Sequence, residues 1–273
     1  MRMAMPSGLA LLPKKAPLVG AFFMAAIWHV PALAFCPSPD SPQQVAVRQV
    51  VDGDTVRLSD GRSVRLIGID TPEIGRKGRA SEPYAEAARQ RLQALIKASD
   101  GRVGLVPGVE SKDKYGRTLA HIYGRNGDNL EAVLLSEGLG FRVAFAPNVR
   151  LSGCHQAAEQ AARAVRAGLW RQSPVRPERD VRQPGFAILG GTIQRIQHTR
   201  GGVWLDLGER VVLHVPARLR RNFPASFFDN LKGRQVEARG WLLDRSRKGG
   251  LKPGQRRWML PLTDPSMLQR TSG

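Results

Sequence analysis

Val51-Asp52-Gly53-Asp54-Thr55-Val56, followed by Val64-Arg65-Leu66-Ile67-Gly68-Ile69-Asp70-Thr71-Pro72-Glu73, sets both the fold and the chemistry of this 273-residue chain. Apolar and polar residues alternate from Gln43 to Ile69, with Asp52-Gly53 and Asp60-Gly61 as punctuation. That pattern predicts an antiparallel meander of three strands, 45–51, 55–58 and 64–69. A two-residue turn at Asp60-Gly61 would set Ser59 against Arg62, and hence Val56 opposite Arg65 and Asp54 opposite Ile67. Asp54 and Arg65 would then be diagonal neighbours on one face. Taken singly, Asp52-Gly53 is an ordinary turn and Arg65 a solvated strand residue. Together they say more, because Arg65 interrupts an apolar strand and Asp70 and Glu73 stand at that strand's end, where rigid scaffolds present reactive groups. Carboxylates at Asp54 and Asp70 suit a hard cation, Arg65 and Arg117 suit a phosphate, and Glu73 could activate a water.

Outward from this stretch, Ala85, Ala88, Leu92, Leu95 and Ile96 recur at helical spacing, which predicts a helix over 82–98 with Ser81 as its cap. The loop before it carries Arg76, Lys77 and Arg79 with Gly75 and Gly78, and is either a guide for a polyanion backbone or a solvated tip. Strands over 103–110 and 118–123 bracket Lys112-Asp113-Lys114-Tyr115-Gly116-Arg117. Helices over 129–137 and 156–167 follow, the second ending at Gly168 before Leu169-Trp170. His121 falls inside a strand and reads as structural. Five strands and about three helices fit an OB-type barrel.

With Asp54, Arg65, Asp70, Glu73, the Asp113–Arg117 turn and the terminal Leu-Trp in place, residues 44–171 resemble the staphylococcal nuclease, or thermonuclease, family. The resemblance implies an α+β fold, mainly β, in which an OB-fold barrel packs helices. It implies Ca²⁺ held by the carboxylates of Asp54 and Asp70 and the backbone carbonyl of Thr71, with Asp52 behind them. Arg65 and Arg117 would bind the phosphate and stabilise the five-coordinate transition state, and Glu73 would orient or deprotonate the attacking water. In-line attack would leave a 3′-phosphate and a 5′-hydroxyl. Lys114 and Tyr115 would contact substrate. The chain departs from the family in Phe141-Arg142-Val143-Ala144-Phe145, where the family often places tyrosines; Phe145 keeps ring stacking on a base but lacks the hydroxyl.

A stretch with three prolines, 172–185, has the composition of a linker. Beyond it, 186–273 predicts a second OB-like barrel: strands near 187–197, 203–207, 210–215, 235–243 and 257–262, with a helix within 217–231. Gly191-Thr192-Ile193, Trp204-Leu205-Asp206-Leu207-Gly208 and Arg239-Gly240-Trp241-Leu242 resemble segments of nucleic-acid-binding OB modules. This part holds 16 Lys and Arg against six Asp and Glu, so it should attract phosphates without sequence preference. Arg245, Arg247, Lys248, Lys252, Arg256 and Arg257 form one cluster, and Arg218, Arg220 and Arg221 another. Of Trp204, Trp241 and Trp258, at least two are expected in the core.

The whole chain carries 42 Lys and Arg against 23 Asp and Glu, a formal charge of +19, which points to a polyanionic partner, either nucleic acid or an anionic surface. Its length suits two modest domains. Arg2, Lys14 and Lys15 precede an uncharged apolar run from Ala16 to Ala34 that ends Ala32-Leu33-Ala34. That is the pattern of a secretory signal peptide over 1–34, and an uncleaved membrane anchor is the alternative. The mature chain would be secreted or periplasmic, and would meet a membrane only if the segment were retained. Cys36 and Cys154 would then share an oxidising compartment, where a disulfide would add roughly 4 kcal/mol; two separate buried thiols are the other reading. Neither cysteine has a CxxC partner or a histidine at metal spacing, which argues against zinc.

The expected protein is thus an exported, Ca²⁺-dependent endonuclease of low sequence specificity acting on DNA, with RNA as a second candidate substrate and no obligate protein partner. Two rivals stand beside it: an extracellular nucleic-acid-binding protein without turnover, and an envelope protein binding anionic lipid or polysaccharide.

Overall fold

β1 (Gln43–Val50), β2 (Thr55–Leu58) and β3 (Ser63–Leu66) form the meander, and Val56, Leu58, Val64 and Leu66 face inward because they alternate with polar residues. The computed structural model describes residues 36–75, 78–247 and 250–271; the apolar N-terminal segment, Arg76, Lys77 and Lys248 lie outside the described residues.

The β2–β3 register is one residue from that of a two-residue turn. Thr55 faces Arg65 and Val56 faces Val64. Leu58 donates its N–H to the Arg62 carbonyl at 2.9 Å and Gly61 has φ 90°, so Ser59 joins Asp60 and Gly61 in a three-residue loop. Asp54 therefore lies outside the ladder, in a bend, and is free to point back toward Arg65.

Two-residue β4 (Ile69–Asp70) follows, then α1 (Ala85–Ala98). The helix starts later than its periodicity predicts because Glu82 is engaged by the loop: its N–H donates to the Glu73 carbonyl at 3.0 Å, and its carboxylate accepts the Glu73 N–H at 2.9 Å. β5 (Arg102–Lys112) and β6 (Thr118–Tyr123) complete a closed barrel in the order β1-β2-β3-β6-β5, with β3 and β6 parallel. α2 (Leu130–Ser136) is capped by Asn129, whose side-chain oxygen accepts the Ala132 N–H at 2.9 Å. β7 (Phe141–Arg142) pairs with β4. α3 (Ser152–Ala164) begins earlier than its pattern indicates, so Cys154 sits in its first turn, bonded to Cys36 across a Cα separation of 5.5 Å.

The proline-bearing stretch is no free tether. β8 (Val175–Pro177) pairs in parallel with β9 (Gly185–Thr199), and Val181 is buried in the second core. β10 (Gly202–Leu207), β11 (Val211–Pro216), β12 (Gln235–Asp244) and β13 (Trp258–Pro261) close a second five-stranded barrel with β9. Its order matches the first, with its third and fifth strands, β11 and β13, again parallel. β14 (Leu268–Arg270) pairs with β12. In place of the predicted helix stand two 3₁₀ turns, Ala217–Asn222 and Ala225–Phe228, each started by a proline, Pro216 and Pro224, whose ring blocks helix propagation. Among the three strand tryptophans only Trp258 is fully buried, at 1% exposure.

The barrels meet across a buried charged seam. Arg239 on β12, 2% exposed, donates to both carboxylate oxygens of Glu159 on α3 at 2.8 and 2.7 Å and to Glu237 at 2.7 Å. Arg163 of α3 reaches the other Glu237 oxygen at 2.5 Å. Arg142 donates to the Ser266 hydroxyl and carbonyl at 2.9 and 2.8 Å. Beside this seam Phe141 stacks on Phe186 at 5.6 Å and meets Trp170 edge-on at 5.5 Å.

Candidate active site

Residues 51–54 bend out of β1, and the Asp54 backbone N–H donates to the Asp52 carboxylate at 3.1 Å. This carries the Asp54 carboxylate to Thr71, which donates its backbone N–H at 2.8 Å and its hydroxyl at 3.1 Å. Arg65 rises from β3 between the acids, 3.0 Å from Asp54 and 2.8 Å from Asp70, and also donates to the Ile69 carbonyl at 2.8 Å. With the Leu66 carbonyl at 3.2 Å, four groups fix the guanidinium, its orientation set by the backbone as well as by charge.

The strand end that supplies Asp70 is shaped by Gly68, at φ 86°, where a Cβ would come within 2.2 Å of the buried His155 ring. His155 in turn contacts the Asn129 side chain at 3.0 Å. His121 is buried 3.3 Å from Glu131 on the same inner side, a structural placement.

Asp52, Asp54, Arg65 and Asp70 line an open cleft of about 1140 Å³ together with Glu73, Glu82, Arg57, Arg79, Tyr115, Arg117 and Trp241. Arg117 is braced by its own turn: its Nε donates to Asp113 at 2.6 Å, while the Asp113 carboxylate also accepts the N–H groups of Tyr115 and Arg117 at 2.9 Å. Burial raises the Asp113 carboxyl, but these hydrogen bonds outweigh it and hold the group below the usual carboxylate range. Tyr115 is 73% exposed, with Lys114 Nζ 4.9 Å from its ring centre. Phe145 is exposed and packs on Trp241 at 5.2 Å, but it is not among the residues lining the cleft.

The carboxylates are crowded. Burial pushes Asp70 up to about 7 against the pull of Arg65, and Asp54, Glu73 and Glu82 add to the rise. Burial, then Asp54, raises Asp52 to about 6. Such crowding is the electrostatic condition that a cation relieves. Among the described residues no group of three or more His, Cys, Asp or Glu is placed to hold a metal ion. Two carboxylates converging on one guanidinium are an all-oxygen donor set that fits a hard divalent ion, provided a backbone carbonyl and water complete its coordination.

Reasoning from sequence brings Asp52, Asp54, Arg65, Asp70, Thr71, Glu73 and Arg117 to one place, and Tyr115 to its rim. It misses Glu82, which the helical pattern absorbs, and Arg57, which falls inside a predicted strand without a role. It leaves Trp241 as one of three tryptophans of which most are expected in the core, with no link to this cleft. It also misses Arg239, although that residue interrupts the apolar strand Val236–Leu243 as Arg65 interrupts its own.

A sequence model of the staphylococcal nuclease homologue family matches residues 63–172. A thermonuclease of Staphylococcus intermedius is 35% identical over 130 residues, 46% of this chain and 75% of that protein. In Bacillus subtilis, endonuclease YncB is 32% identical over 134 residues, 47% of this chain and 62% of its own length. The SPbeta prophage-derived endonuclease YokF is 33% identical over 134 residues, 44% of its length. The chain therefore spans less than two thirds of either Bacillus protein.

Proposed function

The chain belongs to the staphylococcal nuclease family, and we propose that it is an exported endonuclease that hydrolyses phosphodiester bonds of DNA, and of RNA as a second substrate, with Ca²⁺ bound. The observation that carries this reading is the Arg65 guanidinium bridging Asp54 and Asp70 at the floor of a cleft that Arg117, Glu73 and Tyr115 also line.

Asp54, Asp70 and the Thr71 carbonyl would hold the ion, which when bound polarises a phosphodiester oxygen and offsets charge built up at phosphorus. Arg65 and Arg117 bind the scissile phosphate and stabilise its added negative charge. Arg117 enters with its orientation already set by Asp113, so less freedom is lost on binding. Glu73 orients the water and takes its proton as the water oxygen attacks phosphorus. The P–O5′ bond breaks and the departing oxygen takes a proton from solvent water, leaving a 3′-phosphate and a 5′-hydroxyl. Export rests on the apolar N-terminal run, and a disulfide between Cys36 and Cys154 accords with an oxidising compartment. No helix among the described residues is long and apolar enough to cross a membrane.

The test incubates the purified chain with plasmid and single-stranded DNA in Ca²⁺ and in excess EGTA, beside the Glu73→Gln variant. Cutting that requires Ca²⁺ and is lost in Glu73→Gln supports the reading; binding without cutting under every condition rejects it.

A further inference from the structure

Glu237, Arg239 and Trp241 are alternate residues of β12, and alternate residues of a strand share a face. Each points toward the first barrel: Glu237 pairs with Arg163, Arg239 with Glu159, and the Trp241 ring lies 5.2 Å from Phe145. The first two lock the strand, and the third is delivered to the cleft that Asp54, Arg65, Asp70 and Arg117 also line, among the described residues the one lining residue from the second barrel. Its indole is propped on its other contacts, with Phe186 at 5.1 Å, edge-on, on the neighbouring strand. Trp241 remains half-exposed, a large flat ring packed against Phe145 and Phe186 that lines the same cleft as Arg65 and Arg117. Tyr115 supplies a second exposed ring to the same cleft. Aromatic faces beside cationic groups are the chemistry of an unpaired nucleobase whose backbone is held electrostatically.

We propose that Trp241 is a substrate-positioning residue: it stacks on an unpaired base of a single-stranded polynucleotide next to the scissile phosphate, so that the second barrel completes the binding site of the first. The inference rests on the nuclease reading above. It assigns the second barrel a part in choosing single strands, beyond the general attraction of its positive charge.

The experiment uses the full chain, wild type, Trp241→Ala and Trp241→Phe, with far-UV circular dichroism and melting to verify folding. The substrates are a short single-stranded DNA carrying a fluorophore and quencher, and a strand of equal length built of abasic sugar phosphates. Wild type is expected to show a KM roughly 5- to 150-fold lower for the base-bearing strand, the worth of one stacked base. In Trp241→Ala that ratio falls several-fold, to what Tyr115 alone supplies, and Trp241→Phe restores most of the loss. A merely structural tryptophan would weaken cleavage of both strands alike and leave the ratio intact, which overturns the proposal. Wild-type protein that cuts neither strand would instead reject the nuclease reading, and this inference with it.

Discussion

Replacing Arg239 with methionine, close to it in volume, should cost far more than the loss of one arginine on a basic protein. The guanidinium makes three short charge-assisted hydrogen bonds to two carboxylates, all in the seam between the barrels and away from water. Burial alone would lower the Arg239 pKa, but Glu159 and Glu237 more than offset it and raise it. In the variant, Glu237 keeps Arg163 and Glu159 keeps the Arg142 backbone N–H at 2.8 Å, so neither acid is bare, yet Glu159 loses its countercharge. Breaking a buried pair from one side costs about 3–5 kcal/mol. For a chain of this size that lowers Tm by roughly 6–20 °C. Arg125→Ala is the control: its pair with Asp100 is exposed on both sides, 70% and 73%, and should change stability by no more than about 0.5 kcal/mol. Urea unfolding followed by circular dichroism gives both numbers. A loss below about 1 kcal/mol for Arg239→Met would refute the claim that the seam couples the barrels, as would a first barrel melting separately and unshifted.

Four further outcomes are expected. Arg117→Ala should lower kcat/KM about 10²- to 10³-fold with little change in stability, because its side chain is partly exposed. Gly68→Ala forces φ 86° on a residue with a Cβ and drives that carbon into His155, so it should cost about 2–4 kcal/mol in urea unfolding; an unchanged midpoint would discount that packing. Burial, with His121 and Arg142, lowers His155 to about 3 from 6.5. Between those values the unfolded chain takes a proton that the folded chain refuses, so stability is full above pH 6.5 and falls toward acid, by about 2 kcal/mol from pH 7 to 5. His155→Gln should show a correspondingly shallower slope than wild type, and equal slopes would dismiss the buried neutral imidazole. Reducing the Cys36–Cys154 bond, which spans 118 residues, should cost roughly 4–5 kcal/mol in the chain-entropy model, read from melting with and without reductant.

The candidate site is legible in sequence because its residues break local rules: Arg65 sits where an apolar residue belongs, and Asp70 and Glu73 crowd a strand end. Arg239 breaks the same rule in β12, but its partner Glu159 lies 80 positions away on α3, and only tertiary structure shows which charges are buried together. The hairpin register slips by one because Asp60-Gly61 fits a two-residue turn as well as the last two positions of a three-residue loop, a choice made by ladder hydrogen bonds. The stretch 217–231 has helical composition, yet Pro216 and Pro224 divide it into pieces too short to propagate. β8 is invisible for the opposite reason: three residues carry no period, and they become a strand only because β9 offers an edge.

The shared strand order also dictates how the molecule must assemble. Each barrel closes through a parallel pair between its third and fifth strands, Val64 with Thr118 and Val211 with Trp258, so closure waits until tens of intervening residues have been ordered. Long-range closures of this kind carry a large entropic barrier and fold slowly. The Arg239 seam needs α3, which follows the first closure in the chain, and β12, which precedes the second, so a chain emerging from its N-terminus can complete one barrel while that barrel's partner surface is still unmade. In that interval Arg142, Glu159 and Phe141 face water. The ionic character of the seam suits this delay: an exposed charged face stays soluble where an apolar one would aggregate, and water is withdrawn from it only when the second barrel arrives.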